Sequence, residues 1–80
     1  MTRTPVTMGR WYLRPDGSAR CPVRLETREG WASVRYLQVM RRVAVPRVQE
    51  ASCSAAGWWR WAGIAEVQDA SWWPLGIPRP

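Results

Sequence analysis

The sequence predicts an α+β fold, in which a small three- to four-stranded antiparallel meander packs against one short helix and ends in an irregular Trp- and Pro-rich C-terminus. Three observations favour it. Two turn sequences within residues 7–45 imply compatible registers, residues 46–56 carry helix start and stop signals, and residues 71–80 hold too much Pro and Gly for regular structure. The length of 80 residues predicts a single small domain.

Two turns define the predicted sheet. Residues 14–17 read Arg-Pro-Asp-Gly, which predicts a hairpin with a bulged Gly, because Pro presets φ at the second position and Gly accepts a positive φ at the fourth. Residues 29–30 read Glu-Gly and permit a two-residue loop, although Glu suits its first position less well than Asn or Asp. The resulting sheet spans residues 7–45 and follows a short arm at residues 1–6.

The two turns agree on which face of the middle strand is apolar. On that face they predict the pairs Leu13–Ala19, Trp11–Cys21, Gly9–Val23, Thr7–Leu25, Thr27–Ala32, Leu25–Val34 and Val23–Tyr36. The opposite face then carries the candidate partner-binding residues Arg10, Tyr12, Arg14, Arg20, Arg24, Arg28, Trp31, Arg35 and Arg41. The plain alternative is that the wet face of any half-exposed sheet in an Arg-only protein carries Arg.

Two features disturb this simple alternation. Pro22 cannot donate a ladder hydrogen bond, so a bulge or local break is expected beside it, and a bulge would invert the facing of the residues that precede it. Arg24 directly opposite Arg35 is unfavourable, because like charges repel across a strand pair. Glu26 lies diagonally near both and can soften this repulsion.

The chain after residue 40 is less uniform. The alternation of Val extends the third strand to residue 45, while a helical stripe over residues 33–45 is the alternative. A helix is predicted over residues 46–56, because Pro46 suits a first helical position and Gly57 follows the last.

The C-terminal third is dominated by Trp. Alternation predicts a possible fourth strand at residues 58–67, with a helix over residues 62–70 as the competing interpretation. Residues 71–80 are predicted to form an extended tail, in which Trp72 and Trp73 either fill an open edge of the core or reach a partner. The Trp cluster serves as core in a chain without Phe, or as an interface.

Charge is the main indication of a partner. The formal net charge of +6 comes entirely from Arg, since the chain has no Lys. GC-rich codon usage accounts for Arg in place of Lys, but it does not account for the excess of positive charge. An acidic partner is therefore expected: nucleic acid, a nucleoprotein complex or a host protein with an acidic surface.

Catalysis and metal binding are not predicted. The chain has no His, its carboxylates form no paired motif, and Cys21 and Cys53 have no imidazole to activate them. No cofactor or metal site is expected. Two Cys suit a reduced cytoplasmic protein better than a disulfide scaffold, with one bridge between them as the alternative. We expect no membrane span, and a homodimer remains an option for so small a core.

These observations predict a small non-enzymatic basic binding protein that engages nucleic acid or a nucleic-acid-processing complex through the Arg and aromatic face of its sheet. The alternative is a protein–protein inhibitor or adaptor of phage or mobile-element type, which docks on a host protein through Arg and Trp. An anti-defence or anti-CRISPR role belongs to this second class, and no residue selects it.

Overall fold

The predicted α+β class and the antiparallel sheet are confirmed by a computed structural model, which describes residues 6–41 and 43–79. Within those residues one helix packs against a sheet of five strands, rather than three or four, in the spatial order β4-β3-β2-β1-β5. The elements are β1 (Tyr12–Leu13), β2 (Ala19–Arg28), β3 (Trp31–Met40), β4 (Arg47–Ser54), α1 (Ala55–Ala62) and β5 (Glu66–Val67).

Both predicted turns are present. At the first, the Gly17 amide donates to the Arg14 carbonyl at 3.0 Å, and Gly17 takes the positive φ of 91° that the turn requires. This turn sets Leu13 opposite Ala19, as predicted. At the second, residues 29 and 30 form the two-residue loop, both with positive φ. That loop sets the predicted pairs Thr27–Ala32 and Leu25–Val34.

A bulge in β2 changes the register beyond the second hairpin. Arg24 pairs with Arg35, but the next pair joins Pro22 to Tyr36, so Val23 is the extra residue. The predicted pair of Val23 with Tyr36 is therefore wrong by one residue. Because side chains alternate along a strand, the extra residue reverses the facing of everything in β2 before it. This is the inversion that a proline in the strand was expected to cause.

The predicted sheet is too long at both ends. β1 is only two residues long, and the predicted pairs of Thr7 and Gly9 with β2 are replaced by one hydrogen bond from the Gly9 amide to the Pro22 carbonyl at 2.8 Å. β3 ends at Met40, so residues 41 and 43–45 do not extend it. Residues 1–5 of the predicted arm lie outside the described part of the chain, while Val6 packs against the core.

The predicted helix at 46–56 is wrong except for its last two residues, and the predicted strand at 58–67 is wrong except for Glu66–Val67, which form β5. Residues 47–54 form β4, which pairs with β3 along its whole length. The helix begins only at Ala55, where Ser54 caps it by accepting the Gly57 amide on its hydroxyl at 3.0 Å. Its buried residues Trp58, Trp61 and Ala62 follow the i, i+3, i+4 spacing of an amphipathic helix.

The sheet has a core on each face. On the helix face, Trp58 is fully buried among Tyr12, Val34, Tyr36 and Trp61. On the opposite face, Trp11, Ala19 and Cys21 are covered by Trp72 and Trp73 of the C-terminal segment, whose ring centroids lie 6.0 and 5.5 Å from that of Trp11. Residues 68–79 contain no helix or strand, and they pack back onto the sheet. In the described residues no helix is long and apolar enough to cross a membrane.

Candidate nucleic-acid interface

The nine predicted partner-binding residues do not share one face. Tyr12, Arg14 and Arg20 lie on the helix side of the sheet, because the bulge at Val23 reverses the first part of β2. On the other side of the sheet lie Arg24, Arg28, Trp31 and Arg35, at the distal end of the β2–β3 hairpin. The single cationic face is thus corrected to two separate groups, with Arg10 and Arg41 outside both.

Tyr12 belongs to the core and is unavailable for stacking on a base. It is only 4 % exposed, and its ring meets the Trp58 ring edge-on at a centroid distance of 5.2 Å. Its hydroxyl accepts the Thr7 amide at 2.9 Å. The prediction placed it with the arginines because it assumed an unbroken alternation through Pro22.

On the helix side, arginines gather around one indole ring, that of Trp61. The guanidinium carbon of Arg20 lies 4.6 Å from the ring centroids of both Tyr36 and Trp61, and that of Arg14 lies 5.6 Å from the Trp61 centroid. Each such cation–π contact contributes on the order of 0.5–2 kcal/mol, depending on how far it is desolvated. These contacts restrain the positions of both guanidinium groups.

Arg60 completes this cluster from the helix. A shallow cavity of about 420 Å³ is lined by Arg14, Arg20, Gly57, Arg60 and Trp61. We call these five residues the Trp61 site. No carboxylate lines the cavity, so three positive charges from β2, α1 and the turn after β1 face one space. Arg60 was missed by sequence reasoning, because its segment was predicted as a strand; the Ser54 cap and the spacing of Trp58, Trp61 and Ala62 could have revealed the helix.

One acidic side chain close to Arg14 in the sequence is already engaged. Asp16, in the turn after Arg14, accepts the Ser18 hydroxyl at 2.6 Å and the Ser18 amide at 2.9 Å. These two hydrogen bonds lower the pKa of Asp16, and the charge of Arg14 adds a smaller effect in the same direction. Asp16 makes no ion pair with any described residue. It lines a second cavity, which shares Arg20 and Trp61 with this site and also contains Gln38 and Arg41.

The distal hairpin group is partly neutralised. Arg35 donates to Glu50 at 2.9 Å and to Glu26 at 3.1 Å, and these two partners, in that order, raise the pKa of Arg35. The expectation that Glu26 softens the Arg24–Arg35 repulsion is confirmed for its Arg35 side. Trp31 stands beside these charges and is 57 % exposed. The group therefore presents to solvent an exposed indole ring that is surrounded by both positively and negatively charged side chains.

Arg10 and Arg41 hold the C-terminal segment onto the sheet. Arg10 Nε donates to the Gln68 carbonyl at 2.7 Å, and Arg41 Nη1 donates to the Leu75 carbonyl at 2.9 Å. Charge-assisted bonds to backbone carbonyls fix the position of both guanidinium groups. Both guanidinium groups therefore contact the C-terminal segment, and neither belongs to the two arginine groups described above.

The two cysteines and the carboxylates form no reactive cluster in the part of the chain that the structure describes. Cys21 and Cys53 are both free thiols, so the alternative of a bridge between them is wrong. Burial raises the pKa of each thiol, which keeps it protonated and weakly nucleophilic. No three His, Cys, Asp or Glu side chains among the described residues are placed to hold a metal ion.

No protein-family model matches this chain, and neither does any curated protein or solved structure.

Proposed function

We propose that this chain is a small non-enzymatic binding protein that engages an acidic macromolecule, nucleic acid, through its arginine groups. The observation that carries the proposal is the scarcity of carboxylate partners for arginine. The sequence has 12 arginines, of which Arg3 and Arg42 lie outside the described residues, leaving ten. Both ion pairs among the described residues belong to Arg35, so the other nine have no carboxylate within 4.0 Å there.

The chemistry of the unpaired groups suits phosphate. A guanidinium presents several N–H donors in a planar fork, which matches phosphate oxygens, and it stays charged at every physiological pH. Neutralising phosphates releases condensed counterions, and this release drives binding to nucleic acid whatever its sequence. The net charge of +6 adds long-range attraction to the same partner.

The two arginine groups do not support the proposal of nucleic-acid binding equally. No carboxylate lines the Trp61 site, so its positive charge is fully available to an anion. In the distal hairpin group, Glu26 and Glu50 already compensate Arg35, which leaves Arg24 and Arg28. We therefore assign the main contact to the Trp61 site and an auxiliary one to the hairpin, where the exposed Trp31 is available to stack on a base.

The test is binding of labelled single-stranded and duplex oligonucleotides, followed by fluorescence anisotropy over a salt series. Affinity is expected to fall by about tenfold or more between roughly 50 and 200 mM salt if a few phosphates are neutralised. A pull-down from nuclease-treated and untreated lysate complements it, since partners held through nucleic acid are lost on treatment. Absence of binding at micromolar protein, or affinity that is independent of salt, would contradict the proposal.

A second candidate is docking on a protein through the distal hairpin. The exposed apolar side chains there favour it: Trp31 is 57 % exposed, Leu25 51 % and Val23 43 %. Exposed Trp beside Arg is typical of the energetic centre of a protein interface. Under this reading a stoichiometric protein survives nuclease treatment, Trp31→Ala releases it, and the isolated chain shows negligible affinity for oligonucleotides.

A further inference from the structure

We propose that Arg14, Arg20 and Arg60, arranged around Trp61, form a binding site for one phosphate group of a nucleic-acid backbone. The inference rests on the proposed function and gives it a location. The three arginines come from the turn after β1, from β2 and from α1, and they line one open cavity of about 420 Å³. Only Gly57 and Trp61 complete its lining.

Two arginines of the site lie against aromatic rings. The guanidinium carbon of Arg20 lies 4.6 Å from the centroids of two rings, and that of Arg14 lies 5.6 Å from that of Trp61. A cation–π contact restrains a guanidinium while leaving the N–H groups that do not face the ring free to donate. None of the three arginines forms an ion pair with a carboxylate among the described residues. The site is therefore suited to an acceptor that the protein itself does not supply.

Charge favours the Trp61 site over the neighbouring cavity for an anion. The neighbouring cavity shares Arg20 and Trp61 with the site but also contains Asp16, which would repel an anion, whereas the Trp61 site has no carboxylate in its lining. Three like charges around one ring repel each other, and a bound anion relieves that repulsion. The structure thus contains both the unpaired charge and the space in which it is compensated.

The geometry favours a phosphate over a carboxylate. A phosphate offers tetrahedrally arranged oxygens, which accept from donors approaching in different planes, while a carboxylate accepts within a single plane. The three arginines come from three separate elements, an arrangement that suits a tetrahedral acceptor better than a planar one. Trp61 is only 9 % exposed, so it supports the guanidinium groups and leaves no ring face for a base. The site therefore contacts the backbone without reading sequence.

Arg60→Ala is the variant that tests the site. Arg60 is exposed on the helix, and Ala has a high helix propensity, so the fold is preserved. The matched control is Arg47→Ala, which removes the same charge from an exposed position on the outer strand β4. Both are titrated against two oligonucleotides of unrelated sequence over a salt series, and near-UV circular dichroism verifies that both remain folded.

Loss of one phosphate contact is expected to reduce the slope of log affinity against log salt by about 1 for Arg60→Ala, equally on both sequences. Arg47→Ala is expected to leave the slope unchanged. Equal losses in the two variants would overturn the site and retain the proposed function, since binding would then be diffuse. Absence of binding by the wild-type chain would overturn both. Equally tight, Arg60-dependent binding of a poly-glutamate peptide would overturn the assignment to phosphate.

Discussion

Replacing Trp58 by Phe is expected to leave the free energy of unfolding nearly unchanged, although Trp58 is fully buried at the centre of the helix-side core. The reason is its indole N–H group. Trp58 Nε1 is buried and has no hydrogen-bond partner among the described residues. Phe keeps an aromatic ring in contact with Tyr12, Tyr36 and Trp61 and removes the unsatisfied donor.

The two opposing contributions are similar in size. Aromatic side chains bury roughly 150–250 Å² each, and losing about 40–60 Å² of apolar area at ~25 cal/mol/Å² costs about 1–1.5 kcal/mol. A buried donor without a partner costs about 1–3 kcal/mol, which Phe recovers. Taken at the middle of these ranges, the net change for Trp58→Phe is expected to lie within about 1 kcal/mol of zero.

Trp73 provides the matched control. Its Nε1 donates to the Ile77 carbonyl at 2.7 Å, so Trp73→Phe removes a made hydrogen bond. The loss of that bond, about 1 kcal/mol, adds to an area term of up to about 1 kcal/mol at this partly buried ring. Trp73→Phe is thus expected to destabilise the chain by about 2 kcal/mol, more than the same change at the fully buried Trp58.

Urea unfolding followed by far-UV circular dichroism measures both variants without depending on Trp fluorescence. If the slope m of the unfolding free energy against urea is unchanged, wild type and Trp58→Phe are expected to unfold at the same midpoint urea concentration. Trp73→Phe is expected to unfold at a lower one. The reverse order, with Trp58→Phe less stable than Trp73→Phe by about 1 kcal/mol or more, would refute the reasoning. Packing volume would then outweigh the unsatisfied indole.

Two further predictions concern the turns and the acid limb of stability. Glu29 has a φ of 37°, so Glu29→Asn is expected to raise the free energy of unfolding by about 0.5–1 kcal/mol in urea, and no change would contradict this account of the turn. Hydrogen bonds from serines lower the pKa of Asp16 and Asp69 below the ordinary 3.8. Their stabilisation is therefore present above that value and is lost as pH falls below it. The thermal midpoint is measured from about pH 6 to about pH 2.5, and it is expected to fall less in the variant with both Asp changed to Asn than in the wild-type chain. An equal fall in both proteins would show that these carboxylates do not contribute to the loss of stability in acid.

The two hairpins could be predicted because their determinants are local. The Arg-Pro-Asp-Gly turn contains its own backbone requirement in four consecutive residues, and the structure gives Gly17 the expected positive φ. Glu29 and Gly30 also adopt positive φ in the loop, although Glu is an unusual choice there. A turn of this kind sets the register of both flanking strands, which is why pairs such as Leu25–Val34 follow from sequence.

The segment from residue 46 to residue 67 could not be predicted locally, because it carries two incompatible sets of signals. Pro46 and Gly57 mark a helix between them, whereas Ser54 marks a helix that starts after it. The outcome depends on a distant partner: β3 has an edge free of β2, and residues 47–54 pair along it. Because residues 47–54 form that strand, the helix begins only after them and spans Ala55–Ala62. Non-local pairing of this kind overrides propensity.

The position of the bulge decides which arginines can act together. In an unbroken strand Arg20 and Arg24 share a face, since they are four residues apart. The extra residue, Val23, places them on opposite faces, so that Arg20 stacks on Tyr36 and Trp61 while Arg24 stays on the hairpin. Pro22 predicts a bulge in this strand, but it does not predict which neighbouring residue is the extra one. Because of this one extra residue in β2, the predicted row of arginines on one face is replaced by a compact cluster around Trp61. The helix α1 supplies the third arginine of that cluster.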